Sequence, residues 1–260
     1  MDKAKVLNKK TPGSPPVMPQ PSATVEEANY LPILIAVFVI FITLVLFIIY
    51  KRKKSSRRGI LITGLCDSGK TLLYTRLVHD RFVLTQTSIK ENIDEYAINA
   101  KSVKIVDIPG HERLRGQFLD LHKSTTRGLI YVIDSQNVQK DIKDVAEFFY
   151  NILTDPVIYS NSPAILILCN KQDQPLVKNS KAIKTLLEKE LNTLKLTKSS
   201  QLESLDANAK SANVLLGEED EAFTFAAMSQ YKIDFADAYA TNDDKECNIV
   251  DVEKWLAQIV

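Results

Sequence analysis

A run of uncharged, strongly apolar residues extends from Leu31 to Tyr50. Twenty residues in helical form span about 30 Å, which is the thickness of a bilayer core. The next eight residues, Lys51 to Arg58, carry six positive charges, and the positive-inside rule assigns such a flank to the cytosolic side. The pattern predicts one transmembrane helix over 31–50, a disordered lumenal tail over 1–30 and a basic juxtamembrane linker over 51–58.

From residue 59 onward, short apolar runs of strand length alternate with segments of helical periodicity. The runs are mainly apolar, as in parallel strands that are buried on both faces, and they comprise Ile60–Thr63, Val103–Ile108, Leu129–Ile133 and Ala164–Cys169. Apolar residues at helical spacing cover 138–149, 183–194 and 249–259. This order predicts an α/β domain over 59–260, built on a doubly wound, mostly parallel six-stranded sheet.

Two segments break this alternation. Residues 92–100 follow a loop without strand character and lead directly into an apolar run, which predicts one antiparallel edge strand. Residues 195–220 are rich in Ser, Asn, Ala and charged side chains and lack a periodic apolar face. We therefore expect a flexible surface insertion at about 195–220.

Charge and cysteine content narrow the class of protein. Residues 1–58 hold ten basic and three acidic residues, which leaves 23 basic and 29 acidic residues, a net charge of −6, for residues 59–260. An acidic domain is poorly suited to nucleic acid, so no direct nucleic-acid binding is expected. The three cysteines are widely spaced without metal-ligand spacing, which favours reduced thiols in the cytosol.

The strongest chemical signal is a GxxxxGKT motif between the first apolar run and a helical segment beginning at Leu72. Its glycines allow successive backbone N–H groups to turn toward phosphate, its lysine bridges the β- and γ-phosphates, and its threonine hydroxyl binds Mg²⁺. The predicted phosphate loop consists of Gly64, Leu65, Cys66, Asp67, Ser68, Gly69, Lys70 and Thr71, and Leu72 directly after it is also a predicted nucleotide-binding residue.

Two further motifs follow the next apolar runs. Asp107 and Gly110 form a DxxG motif, in which the carboxylate reaches Mg²⁺ through water and the glycine N–H meets the γ-phosphate. Asn170, Lys171 and Asp173 belong to an NKQD motif. A carboxylate there accepts hydrogen bonds from N1 and N2 of guanine, whereas adenine offers an acceptor at N1 and no amine at C2. The three motifs together predict GTP and Mg²⁺ as ligands.

These motifs, in this order, resemble those of Ras-superfamily GTPases, and NKQD is similar to the Arf/Sar branch. Longer stretches resemble the β subunits of the signal recognition particle receptor, a family of membrane-anchored GTPases; they include 64–73, 85–88, 107–112, 144–149, 169–173, 187–194 and 252–257. The resemblance implies a single-pass protein of the endoplasmic reticulum membrane. It also implies that the GTP state binds the N-terminal domain of the receptor α subunit, with only indirect contact to the particle and the ribosome.

The resemblance assigns two further elements less directly. The first switch corresponds to Thr85, Gln86, Thr87 and Ser88, with Thr87 as the expected Mg²⁺ ligand and Ser88 or Thr85 as alternatives. The loop near the base appears as Tyr239-Ala240-Thr241, in which only Ala240 matches the pattern of relatives. The backbone N–H of Ala240 is the expected donor to guanine O6.

The residue after DxxG is His111, where Ras-like enzymes carry a water-orienting glutamine. A histidine there is either catalytic, because imidazole can orient or deprotonate water near neutral pH, or structural and facing a partner. The family resemblance implies weak or partner-dependent hydrolysis. Arg113 and Arg115 follow in the second switch and are either solvated or in contact with the α subunit.

Three functions are consistent with this sequence. The first is a GTP-regulated membrane anchor that recruits the receptor α subunit for co-translational targeting. The second is a constitutive scaffold that holds GTP as a structural ligand. The third is an Arf-like switch in vesicle traffic, which the uncleaved anchor and the missing glutamine disfavour.

Overall fold

The computed structural model describes residues 31–55, 57–98, 101–204, 216, 222–240 and 247–260. The chain forms two compact units that meet in sequence between Ile48 and Ile49. Helix α1, Leu31–Ser55, crosses that boundary, and its side chains from Leu34 to Ile48 are mostly exposed and apolar. Among the helices described, none has both the length and the apolar character needed to cross a membrane. The span over 31–50 therefore stays a prediction, and the predicted tail over 1–30 lies outside the described residues.

The second unit is built on one six-stranded sheet with strand order β2-β3-β1-β4-β5-β6. The strands are β1 Gly59–Thr63, β2 Asn92–Ile98, β3 Lys101–Asp107, β4 Thr126–Asp134, β5 Ala164–Asn170 and β6 Ile233–Asp237. All neighbours pair in parallel except β2, which runs antiparallel to β3 at the edge. The predicted α/β class, the strand number and the antiparallel edge strand are confirmed.

Helices cover both faces of the sheet. They are α2 Lys70–His79, α3 Glu112–His122, α4 Val138–Leu153, α5 Pro156–Asn161, α6 Ser180–Ser204 and α7 Val250–Ile259. Leu129, Tyr131 and Ile133 of β4 belong to a core with α3, α4 and α6, whereas Ile130 and Val132 belong to a core with α2 and α7. Successive strand residues point to opposite faces, and both faces are covered, which explains why the runs are mainly apolar.

The predicted start of the insertion over 195–220 is wrong, because α6 continues to Ser204. Lys195 is buried, and the Lys198 ammonium lies 4.0 Å from the Glu147 carboxylate on α4. The first residues of the predicted insertion are therefore helical, and two of them still contact the domain. Residues 205–215 and 217–221 lie outside the described residues, so the rest of the insertion stays a prediction.

Candidate functional site

The predicted phosphate loop lies between the end of β1 and the start of α2, and two of its glycines have positive φ. At Gly64 (φ +147°), a Cβ atom would lie 2.3 Å from the Val132 carbonyl oxygen. At Gly69 (φ +88°), a Cβ atom would lie 2.3 Å from Nδ2 of Asn170. Any larger residue would clash at both positions, so the loop conformation depends on glycine.

Lys70 lies inside this loop and is only 6% exposed. Its Nζ donates to the Leu65 carbonyl oxygen at 2.5 Å and lies 3.4 Å from the Ser68 hydroxyl. Burial lowers the pKa of Lys70, while the nearby Asp107 carboxylate opposes that change. The arrangement holds a cation against the loop, which suits the binding of an anion there.

Thr71, Ser88 and Asp107 meet beside the loop. Oδ2 of Asp107 accepts hydrogen bonds from the Thr71 hydroxyl at 2.8 Å and from Asn92 Nδ2 at 3.0 Å. The hydroxyl groups of Thr71 and Ser88 are 3.2 Å apart. Of the candidates in the first switch, the structure thus brings Ser88, rather than Thr87, into contact with the predicted Mg²⁺ ligands.

The donor set fits a hydrated Mg²⁺ ion. Asp107 is 1% exposed, burial raises the pKa of its carboxyl group, and its Oδ1 is buried without a hydrogen-bond partner. A buried oxygen of this kind is costly unless something binds it, and water on Mg²⁺ would do so. Across the described part of the chain, no cluster of three His, Cys, Asp or Glu side chains could hold a metal. Mg²⁺ would therefore depend on hydroxyls, water and phosphate.

A cavity of about 310 Å³ connects the phosphate loop with the first switch. Thr85, Gln86, Thr87 and Ser88 all line it, as does Gly110 of the DxxG motif. A Cβ atom on Gly110 would lie 2.6 Å from Lys70 Nζ and 2.8 Å from the Cys66 backbone nitrogen. The DxxG glycine thus lies directly against the loop, as its predicted contact with phosphate requires.

The NKQD motif follows β5 and is tied to both neighbouring loops. Asn170 Nδ2 donates to the Ser68 carbonyl oxygen at 2.8 Å, and the backbone N–H of Gln172 donates to the Ala238 carbonyl oxygen at 3.1 Å. Ala238 lies two residues before Ala240, so the two predicted base-binding segments are adjacent. Asp173 is exposed and accepts from Gln174 Nε2 at 2.8 Å. Thr241 lies outside the described residues.

A family model described as the signal recognition particle receptor beta subunit matches residues 55–232. The rat (Rattus norvegicus) signal recognition particle receptor subunit beta is 42% identical over 240 residues, with 90% of this chain and 88% of the relative covered. The human (Homo sapiens) subunit is 41% identical over 239 residues with the same coverage. This chain belongs to the signal recognition particle receptor beta subunit family.

Solved structures agree with this assignment. The mammalian SRP receptor structure matches with a TM-score of 0.66 at 39% identity, covering 78% of this chain and all of that chain. The SRb-GTP/SRX complex from Chaetomium thermophilum matches with a TM-score of 0.61 at 18% identity, covering 78% and 98%, and so supports the shared fold alone. Mouse ADP-ribosylation factor-like protein 14 is 31% identical over 126 residues, covering 48% of this chain and 64% of that protein. The Arf-like interpretation is therefore weaker than the receptor β-subunit interpretation.

In this β-subunit family member, His111 caps the start of α3. Its side chain accepts a hydrogen bond from the Arg113 backbone nitrogen at 3.3 Å, and the residue is exposed. The Arg115 guanidinium lies 4.4 Å from the centre of the Phe148 ring on α4, a cation–π contact. Arg115 is thus packed against the domain, while the catalytic role of His111 stays a prediction.

Two residues that support the site were not predicted from the sequence. Asn92 bonds Asp107 because the antiparallel register of β2 and β3 places them opposite each other. Asp134 accepts from Lys171 Nζ at 2.7 Å; burial opposes its ionisation, but this bond holds the pKa of Asp134 below its ordinary value. Only the Asn92 contact could have been found from the sequence. If β2 and β3 form a hairpin in which Ile98 pairs with Lys101, the antiparallel register pairs Asn92 with Asp107.

Proposed function

We propose that this chain is the GTP-binding membrane anchor of a signal recognition particle receptor and recruits the receptor α subunit. The observation that carries the nucleotide part is the cluster of half-buried Thr71 and Ser88 with buried Asp107, beside buried Lys70. The cluster combines a cation for phosphate with oxygen donors for hydrated Mg²⁺. The rat subunit is 42% identical to this chain over 90% of its length, which supports the same cellular role.

Each predicted site residue has a role in this proposal. Lys70 would bridge the β- and γ-phosphates, the hydroxyls of Thr71 and Ser88 would ligate Mg²⁺, and Asp107 would hold it through water. Asp173 would select guanine, with the Ala240 N–H donating to O6. Asn170 would keep the base-binding segment in register with the phosphate loop through its 2.8 Å bond to Ser68. Bound Mg²⁺ would neutralise phosphate charge.

The first switch supports a nucleotide-dependent partner surface. Leu84 and Ile89 flank the segment 85–88, and their side chains are 86% and 76% exposed. Apolar side chains this exposed are suited to a protein partner. Because Ser88 would bind Mg²⁺, GTP would order the segment that carries both residues. The proposed partner is the N-terminal domain of the α subunit, consistent with the SRb-GTP/SRX complex among the structural neighbours.

We also propose that α1 anchors the domain in the endoplasmic reticulum membrane, with the domain in the cytosol. Support comes from the exposed apolar side chains of Leu34 to Ile48 and from the six positive charges of Lys51 to Arg58. Hydrolysis is proposed to be weak or dependent on a partner. His111 uses Nδ1 to cap α3, so any contact with an attacking water has to be made through Nε2.

A capture experiment with the full chain in nanodiscs tests the proposal. The chain is loaded with GTP, with GDP or with no nucleotide, and binding of the α-subunit N-terminal domain is measured by pull-down. We expect strong capture only with GTP. Asp173→Asn should lower GTP affinity about 10- to 150-fold, because one charged hydrogen-bonding group contributes about 1.5–3 kcal/mol. The control Asp144→Asn changes an exposed carboxylate on α4 and should have no effect. Equal capture in all three nucleotide states would contradict the switch.

A further inference from the structure

A second cleft lies at the end of the sheet opposite to the phosphate loop. It has a volume of about 940 Å³ and opens where β3, β4, β5 and β6 begin. The phosphate loop follows the carboxyl end of β1, so the two sites are separated by the length of the parallel strands. The volume lies in the range of small-molecule sites. No role proposed above uses this cleft.

Five basic side chains line the cleft, among polar and apolar neighbours; they are Arg57, Arg58, Lys101, Arg127 and Lys232. None of the lining residues in the described part of the chain is Asp or Glu. Two negative groups lie beside these cations: the Asp234 carboxylate, 3.9 Å from Lys232 Nζ at an exposed position, and the terminal group of Val260, which accepts from Lys101 and Arg127. The surrounding domain is acidic overall, so this concentration of positive charge runs against its composition.

Helix ends hold three of these cations in place. Arg57 Nη1 donates to the Asn161 carbonyl oxygen at 2.8 Å, at the end of α5. Lys101 Nζ and Arg127 Nη2 donate to the Val260 oxygen at 2.7 and 3.0 Å, just after α7. Capping accounts for part of the cluster. Capping does not use every donor of these side chains, because a guanidinium has five N–H groups. The side chains of Arg58 and Lys232 are also exposed.

The cleft also lies close in sequence to the apolar segment. Arg57 follows Tyr50 by seven residues, so the chain can separate them by at most about 25 Å. If α1 spans a bilayer, as proposed above, lipid headgroups are within reach of this end of the domain. The ligand that matches fixed arginines and exposed lysine is a phosphate group.

We propose that this cleft binds the phosphate-bearing headgroup of an anionic phospholipid in the membrane that holds the chain. The headgroup would occupy part of the cleft, where Arg58 and Lys232 would contact its phosphate. The inference rests on the membrane-anchor part of the proposed function. It assigns the end of the domain opposite to the nucleotide site to the membrane surface.

Native mass spectrometry of the full chain in neutral detergent tests this inference by titration with phosphatidylinositol and with phosphatidylcholine. We expect phosphatidylinositol to bind at least about tenfold more tightly, since one hydrogen bond between charged groups corresponds to a factor of about ten or more. Arg58→Gln/Lys232→Gln should weaken its binding at least about tenfold for the same reason. The matched variant Lys143→Gln/Lys181→Gln removes the same charge from exposed positions on α4 and α6 and should bind like the unmodified chain.

Three results would overturn the inference: equal affinity for the two lipids, unchanged binding in Arg58→Gln/Lys232→Gln, or binding of free inositol phosphate without binding of the lipid. GTP binding, measured on the same samples, reports that the variants are folded. Alkaline extraction of the full chain from membranes tests the anchor separately. The lipid titration in detergent does not require a bilayer, so failure of the anchor and failure of the lipid site are distinguishable.

Discussion

The amide Nδ2 of Asn170 donates to the carbonyl oxygen of Ser68 at 2.8 Å, and so joins the guanine-specifying motif to the phosphate loop. Asn170 is buried, and its side chain lies where a Cβ atom on Gly69 would be. The two motifs are 102 residues apart in sequence, yet they form one unit. An asparagine that a sequence motif assigns to nucleotide binding is therefore also a structural link.

Asn170→Ala should lower both stability and GTP affinity. The substitution leaves the Ser68 carbonyl oxygen without its partner, which costs about 1–3 kcal/mol when the group is buried. Thermal unfolding of the nucleotide-free chain in detergent measures the first effect, and GTP titration measures the second. Asn151→Ala, at an exposed position on α4, should change stability by less than about 0.5 kcal/mol. If both variants unfolded alike, the link would carry no energy.

Two glycines close together in sequence should respond in opposite ways to alanine. At Gly110, the new methyl group would lie 2.8 Å from the Cys66 backbone nitrogen and from the Leu65 carbonyl carbon, so the phosphate loop has to shift. At Gly116, on α3, nothing lies within 4 Å of a Cβ atom. Gly110→Ala should abolish GTP binding, whereas Gly116→Ala should keep it and stabilise α3 by about 0.5–1 kcal/mol. If Gly110→Ala kept its GTP affinity, the close contact between Gly110 and the phosphate loop would not be required for nucleotide binding.

Strands buried on both faces were predictable from the sequence, as was the edge strand β2, whereas strand β6 and helix α3 were not. The apolar runs of β1, β4 and β5 carried a strong signal because nearly all of their residues are buried, and β3 contributed Val103, Ile105 and Val106. Strand β6, Ile233–Asp237, is half-buried throughout, since it lies at the edge of the sheet. Helix α3 buries only Leu119, so its pattern is mostly polar. Neither element could be located from periodicity.

In the site, residues that belong to a local motif could be predicted from the sequence, whereas contacts between distant segments could not. The motifs identified Lys70, Thr71 and Asp107, because each has a fixed place relative to a strand end. The choice among Thr85, Thr87 and Ser88 depends on the path of a loop without periodic pattern. Only the structure, through the 3.2 Å contact with Thr71, favours Ser88.

Ser88→Ala and Thr87→Ala form a matched pair that tests this choice. Ser88→Ala should weaken GTP binding about tenfold in the presence of Mg²⁺, since a lost ligand hydroxyl corresponds to about 1.5 kcal/mol. Thr87→Ala should have little effect, because Thr87 is exposed. GTP affinity is measured with Mg²⁺ and again with a chelator, where the difference between the variants should disappear. A larger Mg²⁺-dependent loss for Thr87→Ala would restore the assignment made from family resemblance.

Asp107 should stabilise the nucleotide complex at the expense of the nucleotide-free fold. Burial raises the pKa of its carboxyl group above the ordinary value, although hydrogen bonds from Thr71 and Asn92 oppose this. Between the ordinary and the raised value, the folded chain binds more protons than the unfolded chain. The contribution of this carboxyl group to the free energy of unfolding therefore falls as pH rises through that window and stays low above it.

Asp107→Asn should accordingly make the nucleotide-free chain more resistant to thermal unfolding at neutral pH. The same variant should lose the stabilisation that Mg²⁺ and GTP give to the unmodified chain, because the amide cannot hold hydrated Mg²⁺ in the same way. Unfolding is measured from acid to neutral pH, with and without Mg²⁺ and GTP, and Asp144→Asn serves as the exposed control. A lower melting temperature for nucleotide-free Asp107→Asn at neutral pH would mean that the carboxylate, through Thr71 and Asn92, stabilises the fold even without the metal.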